Sequence, residues 1–484
     1  MTLDPHDWTA VRATGHRMVD DMMDWHQSIR ERAPWQPVPA DVKSRIDEPL
    51  PHDGMPLGEV YDAFLRDILP YPTGNIHPRF WGWVMGNGTP TGMLAEMLAA
   101  GMNPHLAGYD QSAALIEKKV LAWLTELMGF PESASGLLVS GGTAANLNGL
   151  LAARVAKAGW NIREEGLHAG PPLTVYGSSE THSWAGKACD TMGMGSKAFR
   201  KISVDRDYRL DLAACRAAIV ADLAAGKRPI AIIGNAGTVN TAAVDDLRAV
   251  RALADEFDLW FHVDGAFGSM AAWSASRDLV AGQELADSIA FDLHKWGYMP
   301  YEVGVVLTRD ANAQLAAFQS AAGSAAYLQS SQRGISADTT YFADRGLQLS
   351  RGFRALKVWM SMKEQGVDRI GAAIQTNIDQ AGYLARRVEV NEALELLAPV
   401  SMNIVCFRYV RVGLGELQLN ALNQAILTEL QVRGIAVPSQ TILDDRFAIR
   451  VCITNHRSEL PDFDILTDAV VTIGTELADV PELT

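Results

Sequence analysis

Ser288-Ile289-Ala290-Phe291-Asp292-Leu293-His294-Lys295-Trp296 is the stretch from which the fold is read. Its opening residues form a mainly apolar run that predicts a buried strand, and a lysine stands directly behind a histidine at its end. Burying a lysine is costly unless the amine is neutralised or bonded, so this context predicts an amine kept for chemistry. The alternative is a surface lysine at a strand end, which the preceding apolar run argues against. About 30 residues upstream, Leu259-Trp260-Phe261-His262-Val263-Asp264-Gly265-Ala266 repeats the form, a hydrophobic strand with one carboxylate at its tip. Asp264 reads either as a helix cap or as the partner of a cation. A lysine able to form a Schiff base and an aspartate able to hold a pyridinium nitrogen are together what a pyridoxal phosphate enzyme requires.

Outward from these two strands, the region from about His77 to Arg309 alternates strand-like and helical pieces. Leu173 to Gly177, Pro229 to Gly234, Leu259 to Val263 and Val303 to Thr308 are short apolar runs ending in small or polar residues. Asp211 to Ala225 and Val244 to Phe257 carry helical spacing between them. This alternation predicts an α/β architecture, a largely parallel sheet covered by helices with its ligand crevice beyond the strand ends. Upstream, Trp8, Val11, Met18, Val19, Met22 and Ile29 predict an N-terminal helix, ended by the proline-rich run 33–39. That arm suits packing on a partner subunit or on its own chain. Residues ~311–345 lack clear periodicity and predict a connector or lid. From Phe353 a long helical segment precedes two strands, Ile404 to Tyr409 and Phe447 to Ile453, which predicts a smaller α+β domain.

The composition is that of an ordinary globular chain: 484 residues, 48% hydrophobic and 20% charged, too long for one simple core. A formal charge of −15 argues against nucleic acid or an anionic membrane as the main partner. Cys189, Cys215, Cys406 and Cys452 are widely spaced with no CxxC pair, a pattern of reduced thiols in a cytoplasmic protein rather than of disulfides or zinc. Met1 to Asp24 has no continuous apolar core of a signal peptide. The uncharged tract Ala311 to Gln332 is Ala/Ser/Gln-rich and does not read as a membrane span.

Three further segments follow strands. Ser140-Gly141-Gly142-Thr143-Ala144-Ala145-Asn146 lies between the strand Gly136 to Val139 and a helix over Leu147 to Ala158. Its glycines permit close backbone approach, and free N–H groups at a helix start suit a phosphate dianion, with Thr143 adding a hydroxyl. Alone, such a turn is most often a plain strand-to-helix connection. His182, in Ser178-Ser179-Glu180-Thr181-His182-Ser183, would lie flat on a conjugated ring, or serve as a cap or core residue. Thr238, in Asn235-Ala236-Gly237-Thr238-Val239-Asn240, would reach the cofactor's ring or phenolic oxygen, or simply form a turn. His294 would contact the phosphate or shield the lysine linkage.

With these residues in view, the chain resembles the group II pyridoxal-phosphate decarboxylases, which include aromatic amino acid, histidine, glutamate and cysteine-sulfinate decarboxylases. The matching pieces are His77-Pro78-Arg79-Phe80, Ser140 to Asn146, His182, Gly237-Thr238, His262 to Ala266, Asp292 to Trp296, and Arg351-Gly352-Phe353-Arg354-Ala355-Leu356-Lys357, in family order. The resemblance implies fold type I with a mainly parallel seven-stranded sheet, and three regions. These are an N-terminal helical, dimer-wrapping segment (1–76), a large cofactor domain (77–352) and a small C-terminal α+β domain (353–484). It implies a homodimer with active sites near the interface and a lid within ~320–345. It assigns Gly142, Thr143, His182, Thr238, Asp264, Ala266, His294 and Lys295 to pyridoxal 5'-phosphate, and decarboxylation of an L-amino acid to the amine and CO₂ by way of Lys295, His182 and Asp264.

Two departures bear on the outcome. Counting back from Arg351 without gaps puts Phe342 where aromatic decarboxylases carry a proton-donating lid tyrosine, with Tyr341 beside it. Relatives with phenylalanine there form an aldehyde, ammonia and hydrogen peroxide; a shift of one residue restores Tyr341 as donor. Asp292 stands where some relatives have asparagine near the phosphate, and a carboxylate there would repel the dianion. Phe80, Trp81 and Trp83 either line an aromatic substrate pocket or form core packing, and an aromatic amino acid is the first expectation. The His294-Lys295-Trp296-Gly297-Tyr298 pattern is also similar to sphingosine-phosphate lyase, a carbon–carbon lyase that is usually membrane-anchored.

Overall fold

The computed structural model describes residues 2–319, 333–337 and 340–479. It divides into two compact units. The larger, Val84–Ala385 with Ala398–Cys406, is built on a seven-stranded sheet. In spatial order its strands are Ser135–Val139, Gly304–Thr308, Ser288–Asp292, Trp260–Asp264, Arg228–Asn235, Leu173–Ser178 and Phe199–Ile202. Gly304–Thr308 runs antiparallel to both neighbours and the remaining pairs are parallel.

The sequence pattern has a direct physical cause here. Strands covered by helices on both faces are buried throughout, so they read as continuous apolar runs rather than alternating ones. Trp260–Asp264 and Ser288–Asp292 are buried at every position. The helices between strands are set by their caps: Asp211 accepts from Ala214 N–H to start Leu212–Ala224, and Asp246 accepts from Ala249 N–H to start Leu247–Glu256. The helix expected from Leu147 begins earlier, at Gly142, directly behind its strand. One strand, Phe199–Ile202, was not expected; with Arg200 and Lys201 in four residues it is a short charged edge, which blunts further pairing.

In the other unit (Met1–Trp83, Arg386–Leu397, Phe407–Thr484) the helix Trp8–Gln27 is capped by Asp7, which accepts from Thr9 and Ala10 N–H. A five-stranded sheet has the order Phe80–Trp81, Val437–Leu443, Arg446–Cys452, Ile404–Tyr409, Leu394–Leu396. Phe80 pairs with Val437 and Trp81 with Pro438, in parallel. Trp81 stacks on Phe463 at 4.9 Å and donates its indole N–H to Ser458 Oγ at 3.1 Å. Back in the larger unit, the long helical segment from Phe353 is two helices, Arg354–Gln365 and Val367–Glu389 (the latter within that unit as far as Ala385), broken at Gly366, whose φ of +73° a residue with a side chain rarely adopts. Among the described residues no helix is long and apolar enough to cross a membrane.

Candidate active site

Lys295 is delivered by the turn that follows the strand Ser288–Asp292. Asp292 N–H donates to Ala266 O at 2.9 Å, and Leu293 N–H to Val303 O at 3.1 Å, so the turn is tied on both sides. Lys295 Nζ lies 2.9 Å from Asp292 Oδ2; the lysine side chain is 22% exposed and the carboxylate 1%. Burial pulls the ammonium pKa down, but the Asp292 charge and hydrogen bond, with Asp264 and Tyr301, outweigh it and leave it raised. Asp292 is thus the counter-ion of Lys295, a role the sequence did not suggest. Its second oxygen, Oδ1, is buried with no hydrogen-bond partner. His294 accepts the Val303 N–H at Nδ1 (3.1 Å), stacks against Tyr301 at 4.6 Å, and holds Nε2 3.7 Å from Asp292 Oδ2. Burial lowers its pKa despite the pull of Asp292.

Asp264 ends the adjacent strand, level with Ala290. It is 6% exposed and accepts three bonds: Trp184 Nε1 on Oδ2 at 2.6 Å, and Ala266 N–H (3.1 Å) and Asn146 Nδ2 (3.4 Å) on Oδ1. A carboxylate offers about four acceptor positions, so one remains, on Oδ2. His182 is solvent-exposed, with its Nδ1 accepting the Trp184 N–H at 3.2 Å. Partial desolvation by the protein around its ring lowers its pKa, with Asp264 pulling it up and Lys295 pushing it down, which places all three within electrostatic reach.

The helix Gly142–Lys157 starts beside these groups. No side chain caps its N-terminus, leaving backbone donors for a ligand. A Cβ at Gly142 would lie 2.9 Å from Asp292 Oδ2 and 3.6 Å from Ala266 Cβ, so glycine keeps this cradle open. Thr143 is exposed in the first turn. An uncapped helix start, a buried carboxylate with an acceptor position to spare and an amine between them match the phosphate, ring nitrogen and aldehyde of pyridoxal 5'-phosphate.

Other expected residues lie differently. Thr238 is 1% exposed and its hydroxyl serves its own turn, meeting Thr241 Oγ1 at 3.2 Å and accepting Ala243 N–H at 3.1 Å. Phe342 is 1% exposed, with the Arg351 guanidinium 5.3 Å from its ring centroid. Tyr341 packs against Gly108. The lid segment lies largely outside the described residues. In the other unit, Phe80 and Trp81 are 4% and 1% exposed and take the packing role, while Trp83 is 55% exposed at a φ of +52°. Sequence reading missed Trp184 and Asn146 as partners of Asp264. Asn146 had a signal, a polar residue one turn into a helix whose face is otherwise apolar; Trp184 had none.

Comparison with known proteins agrees with this geometry. Residues 39–410 match the pyridoxal-dependent decarboxylase conserved domain. The chain is 32% identical over 457 residues to an aromatic-L-amino-acid decarboxylase of Bacillus atrophaeus, covering 93% of this chain and 92% of that one. It is 31% identical over 440 residues to the L-2,4-diaminobutyrate decarboxylase of Rhizobium meliloti (strain 1021), covering 90% and 86%. It is 29% identical over 467 residues to a phenylacetaldehyde synthase of Arabidopsis thaliana, covering 93% of each. Among solved structures it is similar to the glutamate decarboxylase domain of a diaminobutyrate-pyruvate transaminase and L-2,4-diaminobutyrate decarboxylase from Vibrio parahaemolyticus. That match has a TM-score of 0.85 at 27% identity and covers 98% of this chain and 97% of that one. The chain belongs to the pyridoxal-phosphate-dependent amino acid decarboxylases, a family of carboxy-lyases.

Proposed function

We propose that this protein decarboxylates an aromatic L-amino acid to its amine, acting as a cytoplasmic homodimer. The observation that carries the reading is the placing of Lys295 and Asp264 at the ends of adjacent strands, the lysine held by Asp292 at 2.9 Å. When bound, pyridoxal phosphate supplies the electron sink for the bond between the substrate Cα and its carboxylate. Lys295 is the amine that would carry the cofactor, Asp264 the carboxylate that would hold its ring nitrogen, and Gly142 with Thr143 the helix start that would take its phosphate. His182 would lie against the ring, Ala266 beside it, and His294 would back the lysine. Asp292 holds a proton on Lys295 Nζ until the cofactor arrives.

An aromatic substrate is favoured by the 32% identical aromatic decarboxylase, with diaminobutyrate as the rival from the 31% identical one. The four cysteines are free and buried, in keeping with a reducing compartment. Aldehyde formation is the second reading, favoured by the similarity to a phenylacetaldehyde synthase. Weighing against it, Phe342 is 1% exposed, with the Arg351 guanidinium 5.3 Å from its ring centroid. The ~320–345 connector holds one further tyrosine, Tyr327, which lies outside the described residues.

The test is to incubate the holoenzyme with aromatic amino acids and diaminobutyrate while measuring CO₂, amine, aldehyde, peroxide and oxygen uptake together. Amine without oxygen uptake supports the first reading; aldehyde with stoichiometric peroxide replaces it with the second; neither product from any of these substrates sinks the proposed substrates. Tyr341→Phe and Tyr327→Phe, assayed alongside, locate the proton donor by loss of amine.

A further inference from the structure

We propose that Asn146, His262, Ser288 and Trp184 are positioning residues that hold Asp264 in one orientation, as an ionised acceptor with a single position kept for the ring nitrogen of the cofactor. This rests on the assignment of Asp264 made above.

Behind the carboxylate runs a chain of buried hydrogen bonds whose direction is fixed at the carboxylate end. A carboxylate only accepts, so Asn146 turns its NH₂ toward Asp264 Oδ1 at 3.4 Å and its own Oδ1 toward His262 Nε2 at 2.7 Å. An amide oxygen also only accepts, so the imidazole proton sits on Nε2. In a neutral ring Nδ1 is then an acceptor for the Ser288 hydroxyl at 2.7 Å. Trp260 Nε1, which can only donate, closes the chain on Ser288 Oγ at 2.8 Å. The tautomer and the amide orientation thus follow from the carboxylate and a neutral imidazole. Burial keeps the imidazole neutral, its pKa lowered to about 4 against the pull of Asp264, as a link with one donor and one acceptor requires.

Trp184 acts on the other oxygen. Its Nε1 donates to Asp264 Oδ2 at 2.6 Å, and its ring stands edge-on to His262 at 5.9 Å, bracing the chain at its carboxylate end and at its central imidazole. The helix carrying Asn146 can seat this low because residue 149 is glycine. A Cβ there would lie 2.7 Å from the imidazole Nδ1 and 2.9 Å from Ser288 Oγ. Such a chain strengthens its own bonds in a low-dielectric interior, and a broken link leaves two buried polar groups unpaired.

The test uses holoenzyme loaded with cofactor labelled with ¹⁵N at the ring nitrogen, comparing wild type with Asp264→Asn, Ser288→Ala and Trp184→Phe. Removing a donor concentrates negative charge on Asp264 and draws the shared proton from the ring toward it. The expected result is that Ser288→Ala and Trp184→Phe each move the nitrogen resonance toward its unprotonated position and weaken cofactor binding by about tenfold. A purely structural role would leave the resonance where it is. If Asp264→Asn moves the resonance while Ser288→Ala and Trp184→Phe both match wild type, the positioning role is overturned and the Asp264 assignment stands. If Asp264→Asn leaves it unmoved, the assignment itself falls and this inference with it.

Discussion

Glu117→Gln should be among the most destabilising conservative changes in the larger unit. Arg351 is 4% exposed and Glu117 is wholly buried. The guanidinium donates through Nη2 to Glu117 Oε1 and to Leu138 O (2.7 Å), and through Nη1 to Glu117 Oε2 (3.2 Å) and Leu106 O (2.9 Å). The amide of glutamine keeps one acceptor but turns an NH₂ toward a donor and removes the counter-charge. Arginine cannot shed its proton, so the guanidinium is left charged and uncompensated in the core. Breaking one side of such a pair costs about 3–5 kcal/mol, against roughly 5–15 kcal/mol for a whole domain.

Arg351→Met should behave differently. Burial raises the Glu117 pKa, even against the Arg351 charge and hydrogen bond, so the stranded carboxyl can neutralise itself. A carboxyl whose folded pKa is raised stabilises the fold fully below its ordinary value of about 4.5, and loses that contribution as pH rises through the folded value. The penalty of Arg351→Met should therefore shrink as pH falls toward that window, while that of Glu117→Gln, which lacks the titrating carboxyl, should grow. Urea unfolding of both variants beside wild type at several pH values measures this, as midpoint shifts at unchanged slope. A Glu117→Gln penalty below about 1 kcal/mol, or two penalties that track each other with pH, would refute the reasoning.

Three further outcomes are expected. Lys295→Ala should abolish the visible absorption band that borohydride removes from the holoenzyme; a persisting reducible band assigns the linkage to another lysine. Asp292→Asn removes the group that keeps the Lys295 pKa raised, so cofactor attachment should reach its midpoint at lower pH than in wild type. The same ion pair stabilises the apo fold below the ordinary lysine value of about 10.4 and is lost as pH rises above it, so the variant should lack that alkaline decline; a midpoint that stays put or rises counts against Asp292. His77 and His262 are fully buried with pKa values lowered to about 4, chiefly by burial. Their neutral forms stabilise the fold above the ordinary value of about 6.5, and each should cost about 3 kcal/mol as pH falls to about 4. A thermal midpoint that is flat across that window would contradict this.

The strand tips were legible because a strand buried on both faces must be apolar along its length, so the first polar residue after it announces the crevice. Lys295, Asp264 and Gly142 were found that way. Phe199–Ile202 was not, since an edge strand needs charge rather than an apolar run. The aromatic cluster at Phe80 was ambiguous because its partner, Val437, is remote in sequence and no local pattern encodes the pairing. Phe342 read as a lid residue by counting along the chain; its ring lies 5.3 Å from the Arg351 guanidinium, a neighbour that counting could not supply. The partners of Asp264 come from separate helices, and only tertiary packing brings an indole N–H and an amide to the same carboxylate.

The parallel pairing of Phe80–Trp81 with Val437–Leu443 also has a consequence for how the chain is made. About 350 residues separate the two strands, so at roughly 5–20 residues per second the ribosome needs on the order of 20–70 s to supply the missing neighbour. The seven strands of the larger sheet have all been synthesised by Thr308. Through that interval the nascent chain carries Trp81 without the strand and the Phe463 ring that bury it, a ready recognition element for chaperones. The part of this protein that is synthesised first is among the last to be finished.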